Sequence, residues 1–394
     1  MLKPLQPGML QRLWMMPHRL GFLLGALSLV LLALWWSGVL ISSSVPVLPA
    51  VFAHGVMMPL GSFPLFMLGF LFTAGPRWLG INHAPAHAGM MLGFFLGVVL
   101  VIAGLHVSLP AVLAGLLMMV LAWAWALLAW IRCILASQLA DKGHAWRIAV
   151  AMGVGLLAMM SAAVWAKTGD AEIWMATRTL ALWGFLLPVF ITVSHRMIPF
   201  FTQSALALPV LPWRPMGLLD AWLAGCVAHS VATLAGWQVA AALADVAMVL
   251  GFGLATVRWG LMRSMKVRLL AMLHLSFAWL VPACLLQAAA SMGWCAASAP
   301  AHALATGLFV TMLVGFVTRV TYGHGGRPLQ ADSLTWWIYC GLHLAALIRV
   351  GLALLAVPGI ALQLVLLAWA GLLVAWAARM IPIYLRPRLD GKAG

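Results

Sequence analysis

Residues 20–41 read LGFLLGALSLVLLALWWSGVLI, an unbroken apolar run without a charged side chain. As an α-helix, about 20 such residues rise roughly 30 Å, the thickness of bilayer hydrocarbon. Lys3, Arg12 and Arg19 precede the run. It is too long for the apolar core of a signal peptide and reads as a retained first membrane span. Similar runs recur along the chain at about 53–75, 87–106, 110–131, 145–165, 173–195, 216–236, 239–259, 269–291, 301–320, 335–357 and 360–383. Pro, Gly and charge punctuate most boundaries, as in Gly75-Pro76-Arg77 and Arg386-Pro387-Arg388. The 394 residues are 65% hydrophobic and 7% charged, with a mean hydropathy of +1.08. A soluble domain is about a quarter charged, so the composition excludes one. The expected fold is all-α: a polytopic membrane protein of about twelve transmembrane helices, forming a single domain over residues 1–394. A proline-rich loop at about 197–215 separates spans one to six, about 20–195, from spans seven to twelve, about 216–383.

Charge sets the expected orientation. Of the 22 Lys and Arg residues, all but Lys167, Arg178 and Arg349 fall on the N-terminal side or in loops after even-numbered spans. Loops rich in Lys and Arg stay in the cytoplasm, so both termini are expected there. Trp35, Trp36, Trp165, Trp174 and Trp294 then lie at the outer interface, and Trp78, Trp259, Trp336 and Trp337 at the inner one. The net charge of +15 is spread over short loops rather than one solvated face, which argues against nucleic-acid binding. Cys133, Cys226, Cys284, Cys295 and Cys340 form no CxxC and no CxxCH, so a thiolate zinc site and covalent haem attachment lack their signature. Among seven carboxylates, Asp245 alone lies well inside a span, which leaves no carboxylate pair for acid–base catalysis.

Twelve histidines remain. Span direction sorts several of them into two layers. His54 opens span two and His302 opens span ten; both spans run inward, so both rings start at the outer face. His106 ends span three there, and His229, about 20 Å from the inner surface at 1.5 Å per residue, approaches that layer. His83, His87, His195, His274 and His324 fall on the inner side with Arg196, Arg319 and Arg327, and His343 lies between. Neutral imidazoles at equal depth on different helices suit an iron or copper centre or a planar macrocycle. A histidine at a span end is, equally, an ordinary interfacial hydrogen-bonding residue. Gly89, Gly93 and Gly97 in span three permit the close approach of either a helix or a flat ring.

The segment His302-Ala303-Leu304-Ala305-Thr306-Gly307, continuing through Thr318-Arg319-Val320 and Gly323-His324-Gly325-Gly326-Arg327-Pro328-Leu329, strongly resembles the NnrS family. So do Phe70-Leu71-Phe72-Thr73-Ala74-Gly75-Pro76-Arg77-Trp78 after span two, Arg196-Met197-Ile198-Pro199-Phe200-Phe201-Thr202 after span six, and His274-Leu275-Ser276-Phe277-Ala278-Trp279-Leu280 in span nine. The resemblance covers nearly the whole chain. It implies a twelve-span protein of the bacterial inner membrane, containing haem and copper and tied to nitric oxide stress and denitrification. More distantly, the layout resembles the catalytic subunit of haem-copper oxidases, with haem ligands near the outer ends of spans two and ten; that likeness is one of fold only.

At the start of span two the family pattern resembles His-x-His-Glu-Met-x-x-Gly, whereas this chain reads His54-Gly55-Val56-Met57-Met58-Pro59-Leu60-Gly61. Val56 stands in place of the second histidine. The resemblance therefore implies haem b with His54 and His302 as ligands. It implies copper only weakly, with His229, His274, Met57 and Met58 as candidate donors. Arg319, His324 and Arg327 are expected to hold an anion, a haem propionate or a metal, or else to anchor the inner face. The partners implied are the lipid bilayer and nitric oxide. A transporter or channel without a redox cofactor is the alternative, with Arg178, His229, Asp245 and Arg349 lining a water-filled path.

Overall fold

The computed structural model describes residues 8–42, 44–82, 86–357 and 359–391. Among these, eleven helices are long and apolar enough to cross a membrane: Pro17–Ile41, Ala50–Leu79, Leu109–Ala136, Gly143–Thr168, Ala171–Ala205, Met216–Leu234, Gln238–Trp259, Arg268–Ser291, Ser298–His324, Ser333–Leu354 and Ile360–Leu385. A shorter apolar helix, Ala88–Gly104, takes the place of span three. All twelve expected spans are thus helical, and they keep their numbers below. Their ends follow local chemistry. Gly169 closes span five at φ 69°, a left-handed position that its missing Cβ allows, and its N–H bonds back to Trp165. Asp170 then caps span six by accepting from the N–H groups of Glu172 and Ile173, and Asp332 caps span eleven through Thr335 N–H.

Helices adjacent in sequence pack as neighbours, and span twelve returns against span one. There Arg19 donates to the carbonyls of Tyr384, at 2.8 Å, and Arg386, at 2.9 Å. Spans two and ten are the most enclosed, 89% and 83% buried, followed by six and nine at 67%; no other long span exceeds 50%. These four inner helices are also the interrupted ones. Span two bends at Phe63 ahead of Pro64, and span nine at Trp279. Residues 180–186 of span six and 303–310 of span ten widen into π-helix. Such turns leave carbonyls without their usual helical donors, and in span ten hydroxyls serve instead: Thr306 bonds the His302 carbonyl and Thr311 that of Gly307.

Spans two, six and ten meet through two phenylalanine triads, each with one ring from each helix. Phe63, Phe190 and Phe309 form the first, with centroids 4.8–5.9 Å apart. In the second, Phe316 meets Phe70 at 4.7 Å and Phe201 at 5.8 Å. The inter-half loop is shorter than the sequence suggests. Span six continues as helix through Pro199 to Ala205, so the loop covers 206–215 rather than 197–215. Pro199 has no N–H to give the His195 carbonyl and so costs one helical bond here, while the Thr202 hydroxyl adds a bond to the Ile198 carbonyl at 2.8 Å.

Candidate functional site

At the end of the bundle opposite the Arg19–Tyr384 contact, His54 and His302 face each other. Their ring centroids are 6.4 Å apart and the planes are 18° from parallel. Trp36 stacks on His54 at 4.1 Å, which holds its orientation. His302 Nδ1 donates to the Ser298 carbonyl at 2.7 Å. That bond puts the proton on Nδ1 and leaves the Nε2 lone pair free, as in a metal-binding histidine whose other nitrogen is anchored. His54 Nδ1 is buried with no hydrogen-bond partner. The two rings share a cavity of about 90 Å³ with Met58, Arg349, Leu40, Leu362, Leu366 and Trp369. Metal–imidazole bonds of about 2.0–2.1 Å, added to about 1.1 Å from each nitrogen to its ring centre, place two imidazoles sharing one ion about 6.3 Å apart. Two imidazoles at this separation are a donor set that a haem iron takes. The free volume holds an ion or a diatomic molecule; a macrocycle needs several hundred Å³ and displaces the leucine and tryptophan side chains of the lining.

The first phenylalanine triad closes this cavity from below. Beneath it lies a second of about 60 Å³, walled by Phe22, Phe66, Met67, Val189, Met312 and other almost wholly apolar side chains. Under the second triad, at the basic end, a cavity of about 780 Å³ opens, lined by Arg77, Arg196, Arg214, Arg319, Arg388 and His324.

The remaining histidines do not converge on a metal. His229 lies in span seven with Nδ1 2.8 Å from Asp245 Oδ1, both side chains almost fully buried. Trp183 stacks on its ring at 3.8 Å. His343 does not reach it, because its Nδ1 accepts from Trp279 Nε1 at 2.8 Å. His274 bonds through Nε2 to the Thr202 hydroxyl at 2.8 Å; as that hydroxyl already donates to Ile198, the imidazole is the donor. His106 accepts from Trp35 Nε1 and meets the Ser44 hydroxyl. Among the described residues no three His, Cys, Asp or Glu side chains come together. Met58 shares the His54–His302 cavity; Met57 is buried outside it. His83 lies outside the described residues.

The residues expected to form an inner layer are divided. Arg319 and His324 line the large cavity, whereas Arg327 lines a separate one of about 280 Å³ with Asp332, Arg379 and Arg386. Gly325 and Gly326 separate them in sequence and turn Arg327 away from the helix. Two histidine pairs were not anticipated. His18, at the start of span one, lies 4.3 Å from the His324 ring. His144 in span five meets His195 at 3.0 Å, and since His195 Nε2 faces the Pro215 carbonyl, His144 donates. His18 carried a usable signal, since it begins a span at the basic end where His324 finishes one. The span-three glycines serve packing. A Cβ on Gly97 would lie 2.8 Å from the Gly115 carbonyl of span four, and one on Gly89 2.8 Å from Trp125. The polar residues of a channel do not share one path: Arg349 lines the outer cavity, Arg178 lies over Trp174, and His229–Asp245 is enclosed by spans six to eight.

Compared with known families, residues 12–388 match the NnrS protein family, so the chain belongs to it. A comparison with curated proteins finds no match.

Proposed function

We propose, from membership of the NnrS family and the His54–His302 pair, that this protein is a bacterial inner-membrane haem protein of the nitric oxide response. The basic end, with both termini, faces the cytoplasm. The observation that carries the reading is the pair itself: two imidazoles from the two most enclosed spans, at a ring separation compatible with one shared ion. His54 and His302 hold the iron of haem b. Trp36 fixes the plane of one ring, and the Ser298 carbonyl fixes the tautomer of the other. Arg349, on the same cavity wall, would pair with a carboxylate of the macrocycle. When bound, haem would supply an iron, and nitric oxide as a ligand would take the place of one of the two imidazoles. Nitric oxide dissolves in hydrocarbon, so an apolar, membrane-buried site meets it without a polar entry path. Copper is held weakly if at all, since the neighbouring donors are limited to Met58.

An absorption spectrum of the purified protein, expressed with haem supplied, tests this. The expected result is a Soret band with sharp reduced α and β bands. A protein that retains no haem sinks the reading, and metal analysis would then tell whether an ion without a macrocycle occupies the pair. About one copper per chain, surviving chelator washing, would overturn the copper expectation.

A further inference from the structure

The large cavity at the basic end is a concentration of positive charge without its counterpart. Arg77 comes from span two, Arg196 from span six, Arg214 from the inter-half loop and Arg319 from span ten. No Asp or Glu is among the side chains that line it. Arg388, at the rim, is already held in a double hydrogen bond by Asp390. Arg319 is the critical member. It is 5% exposed and lies 4.2 Å above the Phe201 ring, with no carboxylate or carbonyl of the described residues bonded to its guanidinium. Arg214 Nε is likewise buried without a partner. A buried guanidinium such as that of Arg319 costs several kcal/mol unless an anion offsets the lost hydration, and the half-buried Arg196 and Arg214 and the exposed Arg77 add like charge around it. A fold that converges them around 780 Å³ has left a place for an anion.

The rest of the lining narrows its chemistry. Arg196 is stacked on Trp78 at 4.8 Å, and Phe70, Phe200, Phe201 and Leu329 add apolar wall beside the polar Thr73, Gln203 and Ser204. Guanidinium forks match the paired oxygens of phosphate, and basic pockets between membrane helices commonly take phospholipid headgroups. We propose that this cavity binds a phosphate-bearing anion, gripped by Arg319, Arg196, Arg214 and Arg77. Two phenylalanine triads and the apolar cavity between them separate it from the His54–His302 pair, so it is independent of the haem reading. Free phosphate and the phosphodiester of an anionic phospholipid share the required chemistry.

The test uses the full-length protein purified in phosphate-free detergent. Inorganic phosphate is titrated by calorimetry, with chloride at equal ionic strength as control. In parallel, native mass spectrometry counts phosphatidylglycerol retained against phosphatidylcholine. One of the two probes is expected to bind, and which one does identifies the source. Arg319→Ala should weaken that probe about tenfold or more, the loss of one charge-assisted hydrogen bond, and Arg319→Lys should restore part of it. Arg196→Gln, at the partly exposed wall, gives a second reading should Arg319→Ala not fold. Failure of both probes to bind the wild type, or equal binding by wild type and folded variants, overturns the proposal. The haem spectrum is unchanged in either event, so the two readings fail separately.

Discussion

The ring of His302 lies 6.4 Å from that of His54, nearly parallel to it, while its Nδ1 is anchored on the Ser298 carbonyl at 2.7 Å. The two free nitrogens are thus presented from different helices with little freedom to turn. If they share an iron, His54→Ala and His302→Ala each abolish or shift the reduced haem bands. Adding free imidazole restores them in part, because the vacated space admits the missing ring. Wild-type bands in both variants would remove the assignment.

The His229–Asp245 pair makes a stability prediction. Removing one partner of a buried polar pair leaves the other group unsatisfied, at about 1–3 kcal/mol, whereas replacing both with apolar groups is much cheaper. Asp245 and His229 are 0% and 2% exposed, which places them in that regime. His229→Leu should therefore melt well below wild type in detergent, and His229→Leu/Asp245→Leu should recover most of the loss. A double variant less stable than the single one would show that the pair is not electrostatically coupled.

Span three offers two glycines with opposite expectations. A side chain on Gly97 meets span four at 2.8 Å, while one on Gly93 finds its nearest neighbour, Ala122, at 3.7 Å. Gly97→Val should cost about 1–3 kcal/mol through overpacking, and Gly93→Ala should be nearly silent. The haem bands should persist in both. Loss of those bands in folded Gly93→Ala would make the stripe a cofactor wall after all.

Asp332 lies outside the membrane-spanning segments and bears on acid stability. Partial burial raises its pKa, but the Thr335 N–H and hydroxyl and the Arg379 guanidinium outweigh that, and the net value falls below the ordinary 3.8. A depressed carboxylate stabilises the fold above its unfolded pKa and loses that contribution as pH falls through the folded value. Asp332→Ala should thus lower the melting temperature at neutral pH, by the about 0.5–2 kcal/mol of a lost helix cap. The gap between variant and wild type should narrow below pH 3.8. A gap independent of pH would assign the effect to something other than the carboxylate.

Depth along the membrane normal was legible in the sequence, because it depends on one dimension. Apolar runs of bilayer length mark where the chain crosses, and alternation of direction then puts His54 and His302 at one end and Arg319 and His324 at the other. Rotation about each helix axis was not legible. Whether His229 meets His343 or Asp245, whether Arg327 joins Arg319, and whether the glycines face a ring or span four all turn on which helices are neighbours. In a chain that is 65% hydrophobic, lipid-facing and protein-facing sides look alike, so no amphipathic stripe reveals those neighbours. Only the tertiary structure decided them, by seating the interrupted spans two, six and ten at the centre. Close packing there joined their phenylalanines into triads and left the arginines around one cavity.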